Sequence, residues 1–468
     1  MANTTARQVA VLAMASVVGI LGACEATVPP VTPTPAVSVD AATPPAPTSD
    51  VPTAAPSPPV SPTTTPSATA SAAPTASAAP SATPGPTTSP TAAVTASPGT
   101  GAWQYLDDFP AGDAIEVAAV THTTGGYIAV GSEPAEGQGF FGIRQGVVWT
   151  SADGTAWRRS TPEAFVASTL LHVVETAETP YIFGVRSTCD LADDECDDLP
   201  DAGVTVWTND GTGWQRLPQS PVLKDAFLAG VMGLEDALVA YGDSGRNLQA
   251  TTWTSTDGVT WEASTELAGM DPISAAAAGP EGMVAFGTRL VRGSGSIATV
   301  AAFSADGRLF EPVDLPSGLG LVIDSVAWGA EGFVAVGADE EAQATGGKPA
   351  VLASADGRSW EELPLDDSFA ATSLRQVRAT PAGYLLIGSR PSRGDPQRDT
   401  GLSWQSADGR NWVGEALFGG GDYRLYSGSA AGPTGAVAVA LDYEDETVTG
   451  PLSTIRIWFA PLLALTPR

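Results

Sequence analysis

Apolar residues in the second part of the chain recur in short runs that are bounded by glycine. Four of these runs read Gly-x-x-x-x-Gly: Gly126–Gly131, Gly282–Gly287, Gly332–Gly337 and Gly383–Gly388. Each is apolar on both faces of an extended chain, as expected of a strand in a sheet that is packed between two other sheets. The pattern therefore predicts an all-β fold of short strands that are buried on both sides.

A polar phrase follows these strands and repeats six times. It reads Ser/Thr-x-Asp-Gly-x-x-Trp, with Phe310 in place of tryptophan in the fourth copy. The six aspartates are Asp153, Asp210, Asp257, Asp306, Asp356 and Asp408. Asp-Gly is a strong turn signal, because glycine tolerates positive φ and the carboxylate accepts hydrogen bonds from turn amides. Each copy therefore predicts a hairpin whose outgoing strand carries an aromatic wedge between neighbouring sheets.

The spacing of the repeat points to a β-propeller. Asp153 and Asp408 are five repeats apart, so the period is about 51 residues, a length typical of four-stranded propeller blades. A seventh unit follows the last hairpin but lacks its outermost strand. Residues 101–106 supply a match, because Trp103-Gln104 and Leu106 copy Trp214-Gln215 and Leu217 of the second hairpin. We therefore expect residues 101–468 to form a seven-bladed β-propeller that is closed by an N-terminal strand.

The recurring turn resembles the Asp-box, also called the BNR repeat, of sialidases and other extracellular propellers. Asp-boxes lie opposite the active site of those enzymes, so the resemblance implies a scaffold role for the six aspartates. Two details differ. The usual Asp-box has one more residue between Asp and Gly, and the second copy here is one residue shorter when Trp207 is matched to Trp149. The resemblance thus implies a fold rather than a reaction.

The first hundred residues have a different character. Residues 1–23 read as an export signal, with Arg7 before an apolar run that is too short to span a bilayer comfortably. Leu21-Gly22-Ala23-Cys24 resembles the lipobox of bacterial prolipoproteins, which implies lipidation of Cys24 and a place on the outer side of the cytoplasmic membrane. An ordinary secretory signal with an incidental Cys24 is the alternative.

Residues 24–100 are rich in Pro, Thr, Ser and Ala, and predict a disordered tether with a reach of at most roughly 200 Å.

The charge of the chain excludes some partners. The formal net charge is −30, and only one basic and three acidic residues precede residue 101, which leaves −28 for the propeller. Nucleic acids and anionic lipid surfaces are bound chiefly through basic patches, so neither is expected as a direct partner. We expect a monomer whose membrane contact is the lipid anchor at Cys24.

One ring of residues near the channel entrance forms a candidate binding site. An alignment of the blades on the glycine that ends the second strand groups the residues Ala118, His172, Ala229, Ser274, Asp324, Arg375 and Ser427. Three of these are ionisable. His172, Asp324 and Arg375 are candidates for binding a small polar group, or His172 for acting as a base that Asp324 polarises. The alternative is a water-filled channel lined by ordinary polar residues.

A second candidate site lies in the loop of residues 184–203. Cys189 and Cys196 are close together in an exported chain, which predicts a disulfide. Aspartate and glutamate crowd the same loop, which makes it a candidate Ca²⁺ site, although the Asp-x-Asp-x-Asp-Gly spacing of a dedicated calcium loop is absent. A solvated acidic loop without metal is the alternative, and no other cofactor is expected.

These observations leave two classes of function. The three arginines, the tyrosine nucleophile with its glutamate and the acid/base carboxylate of sialidases are not found as a set, and the first strand, residues 115–120, has no arginine. No zinc motif, nucleophile elbow, P-loop or dinucleotide fingerprint is present. A non-catalytic surface module that binds glycan or protein through its loop face is favoured, and a glycan-active enzyme with scattered carboxylates is the alternative.

Overall fold

The computed structural model describes residues 103–462, apart from residues 115, 138–142, 187, 191–194, 198–202, 235, 245–248, 265–266, 268, 292–295, 340–347, 393–394, 419–423 and 444–452. Within these residues the strands form seven four-stranded antiparallel sheets and one two-stranded hairpin. The predicted all-β, seven-bladed propeller is confirmed. The signal sequence, Cys24 and the tether lie outside the described residues.

Each blade contains four strands, here called A to D from the innermost to the outermost. Blade 1 comprises Glu116–Thr123, Gly126–Pro134, Arg144–Ser151 and Arg158–Ser160, and blade 2 comprises Ser168–Thr176, Thr179–Arg186, Gly203–Asn209 and Trp214–Arg216. Blade 3 comprises Phe227–Leu234, Ala237–Asp243, Ala250–Ser255 and Glu262–Ala263, and blade 4 comprises Asp271–Gly279, Gly282–Leu290, Ile297–Ser304 and Glu311–Val313. Blade 5 comprises Leu321–Gly329, Gly332–Asp339, Pro349–Ser354 and Glu361–Glu362, and blade 6 comprises Ser373–Thr380, Gly383–Ser392, Asp395–Ser406 and Val413–Phe418.

Blade 7 is completed by the start of the domain. Its strands A to C are Arg424–Gly432, Gly435–Tyr443 and Ser453–Ala460, and its strand D is Gln104–Tyr105. Tyr105 lies opposite Trp458, as Arg216 lies opposite Trp207 in blade 2. Trp103 therefore occupies the position of Trp214, as the sequence predicts, and its indole N–H donates to Ser403 Oγ of blade 6 at 2.9 Å. This closure pairs a sheet edge that would otherwise be open to other chains.

The hydrophobic core is divided among the clefts between neighbouring blades. The blade 4–blade 5 cleft, for example, is filled by one cluster to which both blades contribute. In that cluster Trp360 of blade 5 meets Phe286 of blade 4 edge to face, with ring centroids 4.9 Å apart. Trp261 of blade 3 meets Phe183 of blade 2 in the same way at 5.7 Å. The predicted aromatic wedges are therefore present, and each such pair adds about 0.5–1.5 kcal/mol beyond the area it buries.

The Asp-Gly hairpins form the turns between strands C and D. In blade 5, Asp356 Oδ1 accepts hydrogen bonds from the amides of Arg358 at 2.8 Å and Ser359 at 2.9 Å. The Trp360 indole donates to the carbonyl of Gly357 at 3.0 Å. Gly357 has φ +73°, and a Cβ there would lie 2.9 Å from the Phe333 ring, so no larger residue fits without movement. The repeated phrase thus encodes a local turn and its packing against the blade.

The second hairpin departs from the other five, as its shorter sequence predicts. Asp210 accepts a backbone hydrogen bond from Thr212 but none from the next amide in the described residues. When Trp207 is matched to Trp149, Asn209 takes the place of Ser151, and its side chain accepts from the Gly211 amide at 2.9 Å. The shorter turn therefore keeps a side-chain cap on the glycine amide and lacks one of the two backbone hydrogen bonds that the aspartate accepts in the other copies.

No helix among the described residues combines the length and the apolar character that crossing a membrane requires.

Candidate binding site at the channel mouth

Strand A of every blade carries a β-bulge at the same place, close to the B–C loop end of the channel. The residue that the bulge leaves unpaired is Ala118, Leu171, Ala229, Ser274, Asp324, Arg375 or Ser427 in blades 1 to 7. Bulges redirect a side chain out of the regular ladder and are frequent beside functional sites. The backbone therefore builds a sevenfold ring around the channel mouth, and six of its members are the residues that the sequence alignment groups together.

His172 is not part of this ring, and its placement in the sequence alignment is wrong by one residue. Asp324 precedes Gly337, the strand B glycine of its blade, by thirteen positions, and thirteen positions before Gly184 is Leu171. The A–B hairpins have a constant length, so the bulge of blade 2 falls on Leu171. His172 is instead paired with Phe183 in the regular ladder.

His172 has a structural environment between blades 2 and 3. Its Nε2 lies 3.2 Å from the carbonyl oxygen of Leu228, which fixes this nitrogen as the protonated one. Burial lowers the pKa of His172 to about 4, so the ring is neutral near pH 7. No hydrogen bond or ion pair joins His172 to Asp324 in the described part of the chain. The hypothesis of a His172 base polarised by Asp324 therefore has no geometric basis.

Asp324 and Arg375 are the charged members of the ring, at equivalent positions of the adjacent blades 5 and 6. Burial raises the pKa of Asp324 to about 6, and the charge of Arg375 opposes that rise. No nitrogen of Arg375 lies within ion-pair distance of Asp324, and no hydrogen bond to the Asp324 carboxyl occurs among the residues that the structure describes. The two groups thus interact without direct contact, and the carboxyl oxygens have no hydrogen-bond partner in the described part of the chain.

The acidic loop of blade 2 is described only in part. Its hairpin, Thr188–Asp190 with Glu195–Asp197, places Cys189 directly opposite Cys196. Opposed residues in antiparallel strands have Cα atoms about 4.5–5.5 Å apart, which lies within the range that a disulfide spans. The side chains of this hairpin, and residues 191–194 and 198–202, lie outside the described residues. The disulfide and the calcium site stay predictions, and elsewhere in the described chain no three side chains of metal-ligating type come together.

The sequence alignment missed a second arginine of the channel, Arg378. It lies three residues beyond the bulge of blade 6. The equivalent residues of the other blades are Thr121, Val174, Met232, Ala277, Ala327 and Ala430. A full alignment of the seven strands A shows a charge at a position that is otherwise small or apolar. This contrast is the sequence signal that identifies Arg378.

The six Asp-Gly turns lie at the other end of the strands from this ring. They join strands C and D, whereas the B–C loops leave the opposite end of strand C. Asp153 and Asp356 are exposed, and hydrogen bonds to turn amides keep the pKa of each below its ordinary value, at about 2 for Asp153. These carboxylates therefore already accept hydrogen bonds from the amides of their own turns.

Comparison with known proteins gives distant similarity only. No protein-family model and no curated protein sequence matches the chain. Among solved structures, "YCF48 bound to D1 peptide" is 14% identical over 78% of this chain and 97% of that chain, with a TM-score of 0.45. Trypanosoma rangeli sialidase is 13% identical over 74% of this chain and 55% of its own, with a TM-score of 0.37. The fucose-specific lectin of Aleuria aurantia is 14% identical over 64% of this chain and 93% of its own, also with a TM-score of 0.37.

Proposed function

We propose that this chain is a non-catalytic binding propeller that takes an extracellular glycan or protein ligand on its B–C loop face. The observation that carries the proposal is the pair formed by Asp324 and Arg375 at the channel mouth. Both are placed by the repeated bulge, and the Asp324 carboxyl has no hydrogen-bond partner within the described residues. A partly buried polar group without a partner is costly, and a ligand that supplies the missing bonds offsets this cost on binding.

The chemistry of the pair selects for a ligand with both a donor and an acceptor. Ionised Asp324 is an acceptor only, whereas the Arg375 guanidinium is a donor only. Neighbouring sugar hydroxyls and peptide amides offer both kinds of group within a few ångströms. Hydrogen bonds to charged groups are about twice as strong as neutral ones, so a gap lined by this pair provides orientation as well as affinity.

The location of the ligand follows from the N-terminal sequence. An export signal at residues 1–23 and lipidation of Cys24 would hold the protein on the outer side of the cytoplasmic membrane, and the tether would carry the propeller away from the bilayer. The acidic surface favours neutral or basic ligands and opposes nucleic acid.

A glycan-active enzyme is the second candidate, because a carboxyl with a pKa of about 6 suits a general acid. Glycosidases pair such an acid with a second carboxylate. Arg375 is the one charged group that influences the pKa of Asp324, and no carboxylate does so within the described residues. The binding role is therefore favoured.

The test is a screen of the full chain on a glycan array and a peptide array, followed by incubation of every bound glycan with the protein and analysis of released sugars. The proposal expects binding on one array without sugar release. Sugar release would establish the enzyme instead, and absence of binding on both arrays would reject a glycan or peptide ligand.

A further inference from the structure

The guanidinium of Arg378 lies inside the channel, where it joins the innermost strands of three blades. Its Nε donates to the carbonyl oxygen of Ser429 in blade 7 at 2.9 Å. Its Nη1 donates to the carbonyl of Val377 at 3.1 Å and lies 3.4 Å from Ser325 Oγ of blade 5. The head group is therefore held by fixed backbone and hydroxyl oxygens, not by a flexible surface contact.

Two supports keep these oxygens in place. Ser325 Oγ also accepts a hydrogen bond from the Val377 amide at 3.2 Å, and Ser429 Oγ donates to Gln376 Oε1 at 2.5 Å. The position of the guanidinium is thus set by hydrogen bonds that cross both clefts of blade 6.

Arg378 has no counter-ion in the part of the protein that the structure describes. Burial lowers its pKa, and no carboxylate opposes this effect. The third nitrogen, Nη2, has no hydrogen-bond partner within the described residues and is not fully enclosed by them, so it borders open space in the channel. Removing a cation from water is unfavourable unless a partner compensates for the lost hydration.

The far side of the channel supplies a second donor, the hydroxyl of Tyr241. Tyr241 belongs to strand B of blade 3. Blade 3 lies nearly opposite blade 6 in the ring, with two blades between them on one side and three on the other. Its hydroxyl lies over Gly230 of strand A, where a Cβ would collide with it. Burial raises the pKa of Tyr241, and the charge of Arg378 opposes the rise, so the two groups lie within electrostatic range of each other. The hydroxyl keeps its proton at neutral pH and can donate it.

We propose that the middle of the channel binds a small halide-like anion between Arg378 and the Tyr241 hydroxyl. Nη2 and the Tyr241 hydroxyl are both donors, and no acceptor competes for Nη2 among the described residues. The anion would neutralise a buried charge that has no carboxylate partner, and would join blades 3 and 6 across the ring. The site is independent of the ligand pair at the channel mouth.

Chlorine-35 NMR of chloride solutions that contain the full chain tests this site directly. At constant ionic strength with gluconate as the replacement anion, the wild type should broaden the chloride line saturably, and bromide should reverse the broadening. The net charge of −30 disfavours non-specific anion binding, so the background should be low. R378M should weaken chloride binding by about tenfold or more, because a charge-assisted hydrogen bond and the charge itself are lost.

Three further variants make the result decisive. R410M, the same change at an exposed arginine on the turn face, should broaden the line as the wild type does. Y241F keeps the arginine and should weaken chloride binding by several-fold, so it replaces R378M if that variant does not fold. R375M should keep the chloride site even where it loses a glycan or peptide. Absence of saturable broadening in the wild type, or equal broadening in R378M or in folded Y241F, would overturn the proposal.

Discussion

Replacing Asp324 by asparagine should stabilise the propeller at neutral pH. The pKa of Asp324 is about 6 in the folded protein, and an aspartate in an unfolded chain has a pKa of about 3.9. The folded state therefore holds a proton that the unfolded state releases between these values, and stability falls as the pH rises through this window. One pKa unit corresponds to about 1.4 kcal/mol, so ionised Asp324 costs up to about 3 kcal/mol at pH 7. Asparagine removes this cost, because it carries no charge at any pH.

The assay is urea unfolding followed by tryptophan fluorescence, at pH 3.5 and at pH 7. We expect the wild type and D324N to have nearly equal midpoints at pH 3.5, where the carboxyl is mostly protonated in both states, and D324N to have the higher midpoint at pH 7. D356N is the matched control, because hydrogen bonds from turn amides lower the pKa of Asp356 and its ionised form stabilises the fold at pH 7. A D324N variant that is less stable at pH 7, or equally stabilised at both pH values, would refute the reasoning.

Three other perturbations test separate parts of the structure. D356A removes two backbone hydrogen bonds from one turn and should lower the free energy of unfolding by about 1–2 kcal/mol in urea titrations. An unchanged midpoint would show that this turn does not stabilise the fold. A chain that starts at residue 101 should melt like the full chain, whereas one that starts at residue 107 loses the closing strand and should melt lower and aggregate; equal melting curves would contradict the closure. C24S should release the protein from membranes into the medium or block its processing, as cell fractionation measures, and a processed variant that stays with membranes would exclude a lipid anchor at Cys24.

The number of blades and their closure could be predicted because each blade carries a copy of the same short sequence phrase or of one of its strands. Six Asp-Gly hairpins fix the period, and each turn is local, so its hydrogen bonds depend on residues within one short phrase. The match of Trp103 to Trp214 then identifies the closing strand, which no local rule would place beside residues 453–460. Because the strands repeat, the long-range pairing of the N-terminal strand with residues 453–460 can be predicted from the sequence.

The binding site was less predictable, because it depends on side-chain direction. A shift of one residue along a strand moves a side chain to the other face, and this is the error that placed His172 in the ring. The bulge between Leu170 and His172 has no residue signature of its own, and only the constant spacing of thirteen residues to the strand B glycine locates it at Leu171. Arg378 was missed because the alignment covered only the ring position, although its charge stands out at the equivalent position of the seven strands A; its proximity to Tyr241 of blade 3 depends on closure of the ring.

The central claim is that recognition belongs to the channel mouth and that the Asp-Gly turns are scaffold. The direct measurement is isothermal titration of the strongest array ligand into R375M and D356A, with the fold of each checked by circular dichroism. The account predicts that R375M weakens binding by about tenfold or more through a lost charge-assisted hydrogen bond, while D356A binds as the wild type does. Loss of binding in folded D356A, with R375M unaffected, would contradict it.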